Sequence, residues 1–280
     1  MEPTDANRRV YEGGDMTALQ GRRYGFFDAA EQEALLRVAD RVRGRKVLDL
    51  GVGGGRTIGL LRLLSADYSG IDYSEALVEV ARRRYPGTDV SWGDARDLSR
   101  FGEGTFALVV FSWNGIDTVG RSDRLRVLAE VARVLQPGGL FVFSTLNLKG
   151  MSYRETPFQL HRPGQPVDAS PVALLRIARR NFADPGRFPR RVGNWRRSRR
   201  IAERGDGWGT AALSTLDFRL VNHFTGLGVL RSDLRGAGLA PEVILSTGPP
   251  GGVEVVGEDA SESSCDNFHV VAVSLRQADG

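Results

Sequence analysis

Apolar residues recur at Ala30, Ala34, Leu35, Val38 and Val42, the spacing of one buried helix face, and Asp28 stands where an N-cap belongs. The period then shortens. Lys46–Leu50 (KVLDL) is a short apolar run, glycines follow at once, and a helical stretch occupies Arg56–Leu64. The alternation repeats down the chain. Tyr68–Asp72 and Val90–Trp92 predict strands on either side of a helix over Ser74–Arg84, which Ser74 would cap. Phe106–Phe111 and Leu140–Thr145 are apolar strands flanking an amphipathic helix over Ser122–Leu135, stopped at Pro137-Gly138-Gly139. Strands separated by such helices imply parallel β-α-β units and a doubly wound α/β sheet.

After Leu148 the rhythm breaks. Pro157, Pro163, Pro166, Pro171, Pro185 and Pro189 interrupt the next stretch, where a helix is predicted at Val172–Arg180 and the rest reads as an insertion over the sheet. Order resumes with a strand-like Ser214–Asn222, a helix near Val229–Ala237, and strands at Glu242–Ser246 and Phe268–Leu275 around a Gly- and Ser-rich acidic loop. Residues 1–25 carry no clear periodicity and read as irregular. The expected organisation is an N-terminal segment and helix over residues 1–43, a core over 44–148, a substrate-binding insertion or lid over 149–220, and a return to the core sheet over 221–280.

Composition adds exclusions. Hydrophobic content of 41% and charged content of 26% are those of an ordinary soluble globular chain. No apolar run reaches the roughly 20 residues that cross a bilayer, and polar Met1–Arg9 has no apolar signal core behind it. A cytoplasmic protein without membrane contact is expected. Cys265 is the single cysteine, which excludes an internal disulfide and a cysteine-based metal cluster. His161, His223 and His269 are too few for a histidine-rich metal site, so no metal is expected. The net charge of +4 is uneven: between Arg176 and Arg204, eleven arginines face only Asp184 and Glu203.

Chemistry concentrates in VLDLGVGGGRT, which sets Gly51, Gly53, Gly54 and Gly55 between a strand and a helix. Ligands of open α/β sheets sit at the carboxyl ends of strands, where a side chain would hold the backbone off the ligand. One reading is a dinucleotide turn, G-x-G-x-x-G, which cradles a pyrophosphate. Here the spacing is G-x-G-x-G (Gly51, Gly53, Gly55), and Asp49 lies in the strand just before it. A carboxylate repels pyrophosphate but attracts the cationic aminoacyl end of S-adenosylmethionine. Asp72 ends the next strand, placed to accept from two ribose hydroxyls; both cofactors use such an acid, and a helix N-cap is its other reading. After the third strand, Asp94 can accept from the exocyclic amine of adenine, and the N–H of Ala95 can reach a ring nitrogen.

The series VLDLGVGGGRT, GIDYS, WGDARDL, FALVVFSWNGIDTV and VLAEVARVLQPGGLFVFS resembles the class I (Rossmann-like) S-adenosylmethionine-dependent methyltransferase family over about residues 44–148, with a looser likeness at Ser232–Leu245. Val52 departs from the small residue or cysteine usual between the first two glycines. The resemblance implies a mostly parallel seven-stranded sheet with a lid inserted after the fifth strand, and S-adenosyl-L-methionine as cofactor. It implies ribose at Asp72 beside Tyr73, adenine at Asp94 and Ala95, and the methionine moiety along Gly51, Val52, Gly53 and Gly55. Ser112 and Trp113 would flank the cofactor, and Tyr11 or Tyr24 would close over it.

In methyl transfer the sulfonium carries the hard step, and the protein holds the nucleophile in line and excludes water. His161, His223 and Tyr153, in or beside the insertion, are the candidate catalytic groups; His269, in FHVVAVSL, reads as structural. Asn114, Asp117, Asn147, Arg196 and Arg197 are candidate acceptor contacts. The tetrad after the fourth strand is SWNG, not a DPPY or NPPY type, which weakens the case for a nucleic-acid base or protein amide as acceptor. The leading expectation is methylation of an oxygen or nitrogen of a small metabolite, anionic or a secondary-metabolite intermediate. An RNA methyltransferase binding phosphates through the arginine-rich insert, and a non-catalytic cofactor- or partner-binding module, are the alternatives. A homodimer is the assembly considered.

Overall fold

The alternation of apolar strands and amphipathic helices folds as a doubly wound α/β sheet. The computed structural model describes residues 3–13, 27–158, 184, 186–247, 252–257 and 265–277. Tyr24, His161 and the helix expected at Val172–Arg180 lie outside the described residues.

Strands β1 (Val47–Leu50), β2 (Tyr68–Asp72), β3 (Asp89–Trp92), β4 (Phe106–Phe111) and β5 (Leu135–Asn147) are mutually parallel, in the order β3-β2-β1-β4-β5. Beyond β5 lies β11 (Asn267–Ser274), antiparallel both to β5 and to β9 (Leu239–Thr247). Helices α2 (Ala29–Val42), α3 (Ile58–Leu64), α4 (Glu75–Arg84), α5 (Arg121–Val134) and α7 (Leu227–Gly236) cover the two faces; α1 (Pro3–Tyr11) and α6 (Arg187–Ile201) complete the described helices.

β4 shows why the central strands are apolar throughout. Val109 and Phe111 pack with Val127, Leu128 and Val131 of α5 and Leu230 and Leu234 of α7. Leu108 and Val110 turn to the other face, towards Leu35 and Val38 of α2 and Ala81 of α4. A parallel strand covered on both faces has no polar position to spare, and each fully buried leucine or phenylalanine contributes about 1.5–3 kcal/mol.

The seven strands implied by the family resemblance are present, but among the described residues the sheet has eleven. β10 (Val253–Val255) folds part of the acidic loop back onto β9. The insertion adds β6 (Arg204–Gly205) and β7 (Trp208–Ala212), and β8 (Val221–Thr225) follows it directly. β8 lies parallel to the tip of β5, Leu146 opposite Phe224 and Asn147 opposite Thr225, and β7 pairs antiparallel with it. That region therefore extends the sheet.

Two further expectations change. The stretch 1–25 carries no apolar period, yet Pro3–Tyr11 is helical. Its buried residues are Pro3, Thr4 and Asn7, held by hydrogen bonds in place of an apolar stripe: Thr4 donates to Asp123 at 2.7 Å, and Asn7 donates to the carbonyls of Thr118 and Val221 at 2.7 and 2.6 Å. The strand expected over Ser214–Asn222 begins only at Val221. Leu216, Asp217 and Phe218 have φ of 56°, 54° and 63°, a left-handed turn that costs non-glycine residues conformational energy. Arg187 anchors it by donating to Asp217 at 3.0 Å, and Phe218 is buried beneath Arg191.

Caps behave as expected at α2, where Asp28 accepts from the Glu31 N–H at 2.9 Å. At α4 the side chain of Ser74 makes no cap bond; Asp72 accepts from the Ser74 N–H at 2.8 Å instead.

Candidate cofactor cleft

Gly51 turns the chain out of β1 with φ +64°, and a Cβ there would stand 2.8 Å from the Phe111 ring. Gly53 follows at φ +54° and donates its N–H to Oδ2 of Asp72 at 2.8 Å. Only glycine combines this conformation with so close a ring. Gly55 has another reason: its Cβ would meet the Tyr85 ring at 3.0 Å, so it lets the loop pack on α4's end.

Asp72 is buried, and its two oxygens accept one N–H each, from Gly53 and Ser74. Each oxygen keeps acceptor capacity for a further donor. Burial raises its carboxyl to about 6, opposed by the Ser74 and Gly53 hydrogen bonds.

Above these groups, at the carboxyl ends of the strands, opens a cleft. Tyr11, Gly51, Val52, Gly53, Asp72, Tyr73, Ala95, Ser112 and Trp113, all expected at the cofactor, line it together. The Tyr11 ring stands edge-on to Tyr73, centroids 5.5 Å apart. Trp113 and Asn114 both have φ of 55°, a sharp left-handed exit from β4 that leaves Trp113 half-exposed at the mouth.

Sequence reasoning missed Arg56, Thr57 and Thr118 in the lining. Arg56 was legible, since it follows the last glycine of the loop directly. It donates to Glu31 at 2.8 and 2.7 Å and to Ser112, its guanidinium 5.0 Å from the Trp113 ring centre. Ser112 in turn donates to Glu31. This bridge from α2 to β4 forms the back wall. Beyond it, a small second cavity is lined by Glu31, Ser112, Ser144 and His269. His269, read as structural, therefore sits at the ligand edge of the sheet, its Nε2 3.2 Å from Asp28.

Asp49 and Asp94 stand one layer back. Asp49 is fully buried and accepts from Thr57 and from the Tyr68 hydroxyl, while Oδ1 has no hydrogen-bond partner. Burial raises its carboxyl to about 7 against those two bonds. Asp94 is gripped by Arg96 at 2.7–3.1 Å, and Arg96 also reaches Asp123 at 2.8 Å. Burial would raise the Asp94 carboxyl, but the Arg96 bonds hold it below its ordinary value.

Among the described residues, the expected catalytic and acceptor groups do not converge on the cleft. His223 is buried in β8, its ring stacked on Trp208 at 5.3 Å with neither nitrogen hydrogen-bonded. Burial, then the charges of Arg124 and Arg121, lower its pKa to about 2, so the imidazole is neutral. Tyr153 packs edge-on to Phe224. Asp117 is fully buried and occupied by Arg124 at 2.6 Å, Thr145 at 2.7 Å and the Leu146 N–H at 2.7 Å. Asn147 donates to the Cys265 carbonyl at 2.8 Å. Asn114 is nearer, its N–H bonded to Ser144 at 2.7 Å and its amide to Asn267 at 3.1 Å. Arg196 and Arg197 are exposed on α6.

Residues 47–139 match the family model of a methyltransferase domain. A "probable S-adenosylmethionine-dependent methyltransferase" of Mycolicibacterium smegmatis is 35% identical over 122 residues, 43% of this chain and 46% of that protein. The ubiquinone biosynthesis O-methyltransferase of Thiobacillus denitrificans is 37% identical over 114 residues, 39% of this chain and 48% of that protein. The chain thus spans about half the length of the curated relatives it matches. The S-adenosylmethionine-dependent methyltransferase of Mesorhizobium loti has the same fold, with a TM-score of 0.56 at 22% identity over 88% of this chain and 98% of that one. Residues 47–139 thus carry the sequence of a methyltransferase domain, in a chain whose fold is that of the S-adenosylmethionine-dependent methyltransferase it resembles.

Proposed function

We propose that the chain transfers a methyl group from S-adenosylmethionine to an oxygen or nitrogen of a small metabolite. The observation that carries this reading is Asp72, a buried carboxylate with acceptor capacity left on both oxygens at the floor of a glycine cradle. That donor set fits the adjacent hydroxyls of a ribose, and the glycine backbone of Gly51 and Gly53 in the cleft lining fits a ligand passing close to the chain.

When bound, the cofactor supplies an activated sulfonium methyl. Asp72 holds the ribose, the Ala95 N–H and the loop braced by Asp94–Arg96 receive the adenine, and the backbone of Gly51–Gly53 borders the methionine moiety. Tyr11 and Trp113 restrict water at the mouth, and the wall of Ser112, Glu31 and Arg56 bounds the acceptor side. A small-molecule acceptor is supported by the likeness to a ubiquinone biosynthesis O-methyltransferase.

Calorimetry with S-adenosylhomocysteine tests the cofactor, with one equivalent bound and no metal added as the expected result; NADH binding in its place overturns it. Mass spectrometry across a panel of hydroxyl and amine acceptors then tests the reaction. Cofactor binding without turnover on any small acceptor, joined to turnover on RNA, overturns the acceptor class.

A further inference from the structure

α6 presents a surface that methyl transfer does not use. Its inner stripe packs on the left-handed turn at residues 216–218: Arg187 and Arg191 reach Asp217 at 3.0 and 3.5 Å, and Asn194 donates to the Asp217 carbonyl at 3.0 Å. The next stripe, at three- and four-residue spacing, is Phe188, Val192, Trp195 and Arg199. Phe158 joins it, its ring centroid 6.0 Å from Phe188 and 5.9 Å from Trp195. Phe158 is 59% exposed and Phe188 43%. Arg199 lies over the Trp195 ring at 5.0 Å, and Arg196 and Arg200 continue the same side of the helix. Arg196, Arg197, Arg199 and Arg200 are all exposed, none makes an ion pair among the described residues, and α6 contains no acidic residue.

We propose that this face docks the protein on the surface of an anionic phospholipid bilayer. The occupant must supply negative charge to four exposed arginines and apolar depth to exposed phenylalanines. An anionic lipid interface supplies both: the helix lies in the headgroup plane, aromatics reach the acyl boundary, and guanidinium groups stay at the phosphates. Single-stranded nucleic acid also offers phosphates, but it stacks bases on open ring faces. Here the three rings meet edge to face, at 71° and 87°, and form one apolar knob. The expectation of no membrane contact rested on the missing spanning segment; among the described residues no helix is long and apolar enough to cross a membrane, which does not bear on peripheral docking.

Cosedimentation of the full chain with phosphatidylcholine vesicles, with and without phosphatidylglycerol, tests this. The expected result is binding to the anionic vesicles alone, weakened by added salt, and reduced at least about tenfold by Arg196→Ala/Arg199→Ala/Arg200→Ala, since each basic group near such a surface is worth roughly fivefold. Phe158→Ser/Phe188→Ser should reduce it as well. Both variants should keep wild-type affinity for S-adenosylhomocysteine, which shows that they fold and separates this inference from the methyl-transfer reading. Absence of binding to anionic vesicles, undiminished binding by both variants, or tighter binding to a single-stranded RNA oligonucleotide than to vesicles at equal salt overturns it.

Discussion

The backbone N–H of Gly53 donates to Oδ2 of Asp72 at 2.8 Å, so one carboxylate both fixes the glycine turn and, through Ser74, opens α4. Asp72→Ala removes a charged acceptor and frees the turn. Its affinity for S-adenosylhomocysteine should fall by about 1.5–3 kcal/mol, the scale of hydrogen bonds to a charged group. Calorimetry on a variant with wild-type circular dichroism measures it, and unchanged affinity refutes the ribose assignment.

The same carboxyl gives a pH dependence. Its pKa is raised to about 6 by burial, so without ligand Asp72 stabilises the fold below the unfolded carboxylate pKa, and that contribution is lost as pH rises through about 6. Ribose hydroxyls need the ionised form. Affinity for S-adenosylhomocysteine should therefore be level above about pH 7 and decline below about 6, with protons released on binding near pH 6. Asp72→Asn should flatten the curve. Calorimetry in buffers of different ionisation enthalpy reads both effects.

Gly51→Ala should be worse than an ordinary glycine replacement. The residue sits at φ +64° with the Phe111 ring 2.8 Å from a new Cβ, whereas Gly104, at φ +59°, has nothing within 4 Å. Urea titration should show Gly104→Ala costing about 1 kcal/mol and Gly51→Ala about 2–4 kcal/mol. Equal losses would mean that the ring yields freely.

Asp117 and Arg124 are both fully buried and 2.6 Å apart. Removing either leaves an isolated charge, so Asp117→Ala should cost about 3–5 kcal/mol of stability. The double change Asp117→Leu/Arg124→Met should recover a good part of that. Denaturant unfolding measures the cycle, and additive losses would show that the pair is not coupled.

The glycine loop, the parallel strands and most of the cleft lining were legible because they follow from short-range rules: apolar runs for strands buried on both faces, and glycines where the backbone must approach a ligand. What escaped depends on distant partners. α1 is held by Thr4 and Asn7 through bonds spanning 119 and 214 residues, which no apolar period reports. The turn at Leu216–Phe218 alternates like a strand and is held left-handed by arginines of another helix. His269 lies in an apolar strand segment, and only its register opposite Ser144 and the approach of Asp28 bring it to the ligand edge.

The bonds of Asn7 also order events in time. Its amide donates to the Val221 carbonyl at 2.6 Å, and its own oxygen accepts from the Val221 N–H at 2.8 Å. A ribosome releases Asn7 214 residues before it supplies Val221. The glycine loop, Asp72 and the first partners of the N-terminal helix, Thr118 and Asp123, all precede Val221. A nascent chain stalled short of Val221 would thus hold Tyr11 over the cleft through a helix clamped on one side alone, and β8 would complete the clamp as a later step.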